Sequence, residues 1–221
     1  MKRSERYSYD ESLTFLREQA DLVERVELDH KRHRILSLGP LREVYWEFRL
    51  PLPFPAIQTE ESLDDYLDRV PEWIPPYMIV LIQAGAAAIG HFEDGEVVHH
   101  KAIKKYMKRH KRGKSQISYL NTRGKSKAGS RVRLANTVRF FEEINERTTP
   151  WIKELEPERI LYSCSAQLWG MLFQAKTPPA FDKKDKRLIK VPLDVNIPDF
   201  EEMLRVNEIV IEGVLTSEST V

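Results

Sequence analysis

Gln116 is an uncharged amide set inside the most cationic part of this chain. Residues 97–141 contain 14 Lys or Arg and not one Asp or Glu. The whole chain has 35 basic and 34 acidic side chains, so the remainder holds 35 − 14 = 21 basic against 34 acidic, a net of −13. A block of one sign repels itself until solvent or a polyanion screens it, and the usual polyanion is nucleic acid. Lys104, Lys105, Lys108, Arg109, Lys111 and Arg112 approach the island Gly113-Lys114-Ser115-Gln116; Arg123, Lys125, Lys127, Arg131 and Arg133 leave it. Phosphates drawn to both flanks would be held beside the island. Each one neutralised adds about −0.7 to −0.9 to the slope of log affinity against log salt. Such contacts position a nucleic acid without reading its sequence. Tyr106 and Tyr119 add rings on which single-stranded bases can stack.

A neutral amide is no general base near neutral pH. It can orient a water or a ribose hydroxyl, while a neighbouring backbone N–H supports developing negative charge. Other chemistry is harder to assemble. Ser115, Ser118 and Ser126 have no evident His–Asp relay, which argues against a serine hydrolase. A two-metal nuclease needs clustered carboxylates, and the block contains none. Cys164 is the only cysteine, so no internal disulfide can form and a reducing compartment is expected. It reads as a buried, inert thiol. His99 and His100 should face opposite sides of a strand, and His110 can meet phosphate when protonated. Trp151 and Trp169 read as core. The competing account of the block is a solvated basic face.

The elements that position this segment follow from periodicity. Residues 10–28 read as an amphipathic helix through Leu13, Leu16, Ala20 and Val23. Residues 35–38 and 42–50 read as strands. Pro51, Pro53 and Pro55 then interrupt regular structure. Thr59 can cap a helix reaching residue 70. Residues 77–82 form a strongly apolar strand, and Asp94-Gly95 signals a hairpin joining 86–92 to 96–107. Segment 108–127 is long for a connector, which favours a functional loop. A helix follows from 126 or 130 to 146, with Leu134, Val138 and Phe141 inward. Strands at 160–163, 188–191 and 208–214, with one or two helical turns at 199–204, complete an α/β chain with a mixed β-sheet and flanking helices. The expected organisation is a helix and strand pair at 1–56 packed on the core, a catalytic domain at 57–215 and a frayed tail at 216–221. No signal peptide or membrane span is evident, so a cytoplasmic protein is expected.

Three segments together resemble a known family. Residues 84–100 carry Ala-Gly-…-Ala-Ile-Gly-His-Phe-…-Gly-Glu-Val-Val-…-His. Lys111-Arg112-Gly113-Lys114-Ser115-Gln116 and Arg123-Gly124-…-Ala128-Gly129-Ser130 follow in order. This is similar to the Vms/ANKZF-type release-factor family, related to the catalytic middle domain of the eukaryotic and archaeal termination factor. The similarity runs over residues 77–210 and more faintly from 34.

The resemblance implies an RNase H-like domain with a long basic catalytic loop. Its Gly-x-x-Gln tip would reach peptidyl-tRNA on a stalled large ribosomal subunit and free the nascent chain. Gln116 is then the catalytic residue, Gly113 the pivot and Ser115 its neighbour at the tip. Lys108, Arg109, Lys111, Arg112, Lys114, Arg123, Lys125, Lys127, Arg131 and Arg133 would contact RNA. The expected partners are peptidyl-tRNA and large-subunit RNA, with no DNA, membrane, metal or cofactor. Either the peptidyl ester is hydrolysed or the tRNA is cut near its CCA end; the alternative is a non-catalytic RNA- or ribosome-binding module using the same loop. Two departures stand out. The termination factor has Gly-Gly-Gln where this chain has Lys114-Ser115-Gln116, and relatives show Arg-Arg-Tyr-Asn-Glu where it has Arg133-Leu134-Ala135-Asn136-Thr137. The zinc finger, ankyrin repeats and partner-binding helix of larger members have no counterpart here, so a minimal version is expected.

Overall fold

The computed structural model describes residues 2–107 and 128–218. The elements run β1 (Lys2–Tyr7), α1 (Tyr9–Leu22), β2 (Val26–Asp29), β3 (Arg34–Leu38), β4 (Val44–Arg49), α2 (Leu63–Leu67), β5 (Tyr77–Gln83), β6 (Ala86–Glu93), β7 (Glu96–Lys104), α3 (Ala128–Glu154), β8 (Arg159–Cys164), α4 (Ala166–Gln174), β9 (Leu188–Lys190), α5 (Phe200–Val210) and β10 (Gly213–Glu218). They build two five-stranded sheets, ordered β1-β10-β4-β3-β2 and β7-β6-β5-β8-β9.

The second sheet is mixed. β5, β6 and β7 form an antiparallel meander, while β8 and β9 add parallel to β5. β5 reads as a continuous apolar run because both its faces are covered. Met78, Val80 and Ile82 enter the core beneath α3 and α4; Tyr77, Ile79 and Leu81 enter the core beneath α5. The β6–β7 turn is Asp94-Gly95, with φ of 49° and 80°, the pair of left-handed residues a two-residue hairpin turn requires. Gly90 on β6 lies where a Cβ would come 2.6 Å from Met203 Sδ, so its lack of a side chain makes room for the Met203 side chain of α5.

The first sheet is antiparallel throughout and carries α1 and α2 on one face. α1 opens on a reciprocal cap: Ser8 Oγ accepts from Glu11 N–H and Glu11 accepts from Ser8 N–H. It stops at Leu22 rather than near residue 28, because the chain becomes extended at Val23 and residues 26–29 pair with β3 instead. β1, a polar segment with no apolar periodicity, is held at the sheet edge by β10.

Other boundaries moved for local reasons. Ser62, not Thr59, caps α2. α3 continues past residue 146 to Glu154 with Pro150 inside it, and Val138 is exposed; its buried positions include Phe140, Phe141, Ile144, Thr148 and Ile152. α4 is an apolar helix that residues 166–174 conceal in a generally apolar stretch. Residues 208–210 end α5 rather than begin a strand, since Asp199 caps a helix whose Met203, Val206 and Val210 recur at helical spacing. β10 follows from Gly213 and is paired through Glu218, past the residue 216 where fraying was expected.

The two sheets meet at one buried and one half-buried arginine. Arg159, 4% exposed, opens β8 and donates to Leu52 O (3.3 Å) and Lys186 O (3.2 Å). Burial lowers its pKa to about 10. Arg49 donates to Leu50 O, Ile209 O and Glu212 O. Between them the proline-rich segment is fixed, with Leu52 and Phe54 buried and Leu52 N–H bonded to Val210 O. His33, also buried, places Nε2 3.1 Å from Pro51 O, which requires the neutral tautomer protonated at Nε2.

Two predictions follow from this seam. Arg159→Met keeps most of the side-chain volume but strips two carbonyls of their donor, and should lower unfolding free energy by about 2–4 kcal/mol in urea titrations; a loss below about 0.5 kcal/mol would remove these bonds from the account. Burial and the nearby Arg159 charge hold the His33 pKa at about 3, below its ordinary 6.5. The unfolded chain therefore takes up a proton that the folded chain refuses, so stability is full above about 6.5 and falls as pH drops toward about 3, by at most about 1.4 kcal/mol per pH unit from this group. His33→Gln should flatten that part of the profile, read as urea midpoints compared across the same window.

Candidate nucleic-acid interface

Segment 108–127 leaves the end of β7 and returns as α3. Gly113, Ser115 and Gln116 lie outside the described residues, as do Lys108, Arg109, Lys111, Arg112, Lys114, Arg123, Lys125 and Lys127. His110, Ser118, Tyr119 and Ser126 lie there too. Arg131 and Arg133 fall in the first two turns of α3. What the structure defines is how this segment is rooted.

The outgoing root is pinned at three points. Ile103 and Met107 are buried in the core beneath α3. Lys105 N–H donates to Gly85 O at 2.9 Å. Gly85 has φ +89°, and a Cβ there would stand 2.6 Å from Lys105 O, so both the conformation and the approach exclude other residues. The returning root is tied to the outgoing one. Asn136 Nδ2 donates to Tyr106 O at 3.2 Å, and Lys105 Nζ pairs with Glu143 at 2.8 Å. Asn136 lies eight residues into α3, so the helix start stands about 12 Å along its axis from this clasp.

The clasp was not foreseen as functional. Its one sequence signal is that Asn136 keeps the Asn of the relatives' Arg-Arg-Tyr-Asn-Glu pattern. Below it an open groove of about 450 Å³ is lined by Lys105, Arg139, Glu142, Glu143, Glu146 and Arg147. Acids resume there immediately after the cationic block ends, so the roots rest on a face of mixed charge.

Most of the first resembling segment is packing. Gly90 receives Met203, His91 is fully buried, and Phe92 stacks on Tyr77 at 5.1 Å. His99 and His100 do point to opposite faces: the first stacks on Trp151 at 5.8 Å and the second lies 4.2 Å from Phe200. Trp151 and Trp169 pack against the core, with Trp169 stacked on Tyr162. Cys164 is partly rather than fully buried; its thiol is pushed up to about 12 by desolvation and so stays protonated. Among the described residues no three of His, Cys, Asp or Glu gather to hold a metal ion, and no helix is long and apolar enough to cross a membrane.

The chain is similar in sequence to known proteins. The Mus musculus protein named tRNA endonuclease ANKZF1 is 28% identical over 181 residues, covering 79% of this chain and 24% of that protein. Its Homo sapiens counterpart is 28% identical over 182 residues, with the same coverage. The chain thus spans about a quarter of the length of these relatives. Among solved structures, the Vms1 mitochondrial localization core covers 93% of this chain and 81% of its own, with TM-score 0.48 and 11% identity. Residues 77–216 match the family described as the Bacteroidetes VLRF1 release factor. With well over half its length matched, including both elements that root segment 108–127, the chain belongs to that release-factor family.

Proposed function

We propose that this chain rescues stalled translation by freeing nascent chains from peptidyl-tRNA on large ribosomal subunits, with segment 108–127 as a catalytic loop tipped by Gln116. The carrying observation is that a family match to release factors spans an acid-free cationic segment whose two ends are clasped together. Strand order β7-β6-β5-β8-β9, a three-strand meander extended by parallel strands, supports an RNase H-like reading of the domain. Anchored roots reduce the freedom lost when a loop tip engages its target, which is the condition for positioning catalysis.

In this reading the flanking cations, Lys108 to Arg112 on one side and Arg123 to Arg133 on the other, hold the sugar-phosphate backbone near the acceptor end. Gly113 lets the tip turn, and Ser115 and Gln116 present neutral polar groups to the junction of peptide and tRNA. For ester hydrolysis, the Gln116 amide aligns a water on the ester carbonyl while a backbone N–H supports the oxyanion. For strand cleavage, it aligns a ribose 2′-hydroxyl on the adjacent phosphorus; the 5′-oxygen leaves with a proton, a cyclic phosphate remains, and Arg and Lys stabilise the charged intermediate. The relatives carry the name tRNA endonuclease, which favours the second course.

Gln116→Ala should leave binding to stalled large-subunit complexes unchanged and lower peptide release by about a hundredfold or more, the usual scale for losing one positioned polar group. Release at the wild-type rate would make Gln116 ordinary surface. If the wild-type chain binds such complexes yet never releases peptide, it is a binding module. Sequencing the tRNA product separates the two bonds: an intact CCA end means ester hydrolysis, and lost terminal nucleotides mean strand cleavage.

A further inference from the structure

A second cationic surface lies at the β9 edge of the second sheet. It is a cleft of about 610 Å³ where the β2–β3 turn and β4 of the first sheet meet β9 and the residues after it. Lys31, Arg32, Arg34, Arg49 and Lys190 line it, against the carboxylates of Glu47 and Asp194. Outside residues 97–141 the chain carries 21 basic side chains against 34 acidic, so five cations around one cleft reverse the local sign of an otherwise acidic surface.

The charges divide by role. Arg34 is engaged with Asp29 at 3.0 Å and Glu47 at 2.6 Å. Among the described residues Arg49 bonds main-chain carbonyls and no carboxylate. Lys31, Arg32 and Lys190 are exposed, and among the described residues none of their side chains has an acidic partner within ion-pair distance. Of the two lining carboxylates, Glu47 is paired with Arg34 and Asp194 has no ion-pair partner among the described residues.

The cations stand on a fixed platform. Asp29 Oδ1 accepts from the backbone N–H of both Lys31 and Arg32, closing the turn around them. His33 follows in the left-handed region at φ 53°, and its ring is buried against Pro51 O. A non-glycine residue held this way stores strain that the surroundings must balance, here by anchoring the ring. Lys190 ends β9, which pairs in register with β8.

We infer that this cleft is a second RNA-backbone site, binding phosphodiesters through Lys31, Arg32 and Lys190, an inference that rests on the proposed action on ribosome-bound RNA. β9 and β7 are opposite edges of the second sheet, four strand steps or about 19 Å apart. An RNA held at both edges would be gripped across the whole sheet, which fixes its orientation as well as its proximity. The chemistry does not separate tRNA from ribosomal RNA, so both are probes.

The test is the triple variant Lys31→Gln, Arg32→Gln, Lys190→Gln in the full chain, with 5′-labelled deacylated tRNA and isolated large ribosomal subunits as ligands. Removing three phosphate contacts should shrink the slope of log affinity against log salt by about 2 and weaken binding by about tenfold to a hundredfold at low salt. Loss on tRNA alone assigns the cleft to tRNA; loss on subunits alone assigns it to ribosomal RNA. A Lys31→Arg, Lys190→Arg variant, which keeps the charge, should bind as wild type, and thermal midpoints should be unchanged in both. Unaltered slope and affinity on both ligands would overturn the cleft while leaving the catalytic reading intact. Failure of peptide release with a slope still sensitive to the triple variant would overturn the catalytic reading and leave the cleft.

Discussion

A guanidinium without a carboxylate holds the two sheets together. Arg159 is buried at the head of β8, and both groups it bonds are main-chain carbonyls, one in the proline-rich crossover and one before β9. Carbonyls buried at a junction need donors, and no regular ladder can supply them where two sheets meet at an irregular segment. One arginine serves both. Burial first and the Arg159 charge second hold His33 in its neutral form, and its ring lies at Pro51 O to complete the satisfaction of the crossover. Removing that cation would leave carbonyls unpaired on both sides of the joint, which is why the seam depends on it more than on any single apolar contact.

From this seam the sheet reaches outward to its functional edge. β5 lies at the centre, apolar on both faces, and β6 and β7 are laid against it in turn. β7 then delivers segment 108–127 at a place fixed by Gly85, Met107 and the Asn136 clasp. The order of dependence is a covered core strand, a tight turn, an edge strand and a pinned root. The acid-free cationic block enters only at the last step, beyond the strands that carry it.

The parts legible in the sequence are those where local pattern and tertiary setting agree. Residues 77–82 could hardly be anything but a doubly covered strand, and Asp94-Gly95 names its own turn geometry. β1 was invisible because an edge strand is stabilised by its neighbour rather than by apolar alternation, and charged edges are the norm. The end of α5 misled for the opposite reason: Ile209, Val210 and Ile211 mimic a strand, yet Asp199 and the spacing of Met203, Val206 and Val210 commit the first two to a helix that Ile211 caps. At the candidate site, charge and the Gly-x-x-Gln island could be read directly, because they are properties of composition. Asn136 and Gly85 acquire meaning only from what lies opposite them, Tyr106 O and Lys105 O, and no linear pattern records that.

The pairing of β1 with β10 bears on how the chain is made. Lys2 faces Glu218 and Tyr7 faces Gly213, so the earliest and the latest described strands are hydrogen-bonded neighbours. During synthesis β1 must wait, unpaired, until β10 has emerged, while β5 to β9 and the helices that cover them all precede β10. The second sheet can therefore mature while the polypeptide is still growing, and the first is sealed afterwards by a long-range contact of the kind that slows folding. β10 is the strand that joins β1 to β4, and without it each of them would present a raw edge.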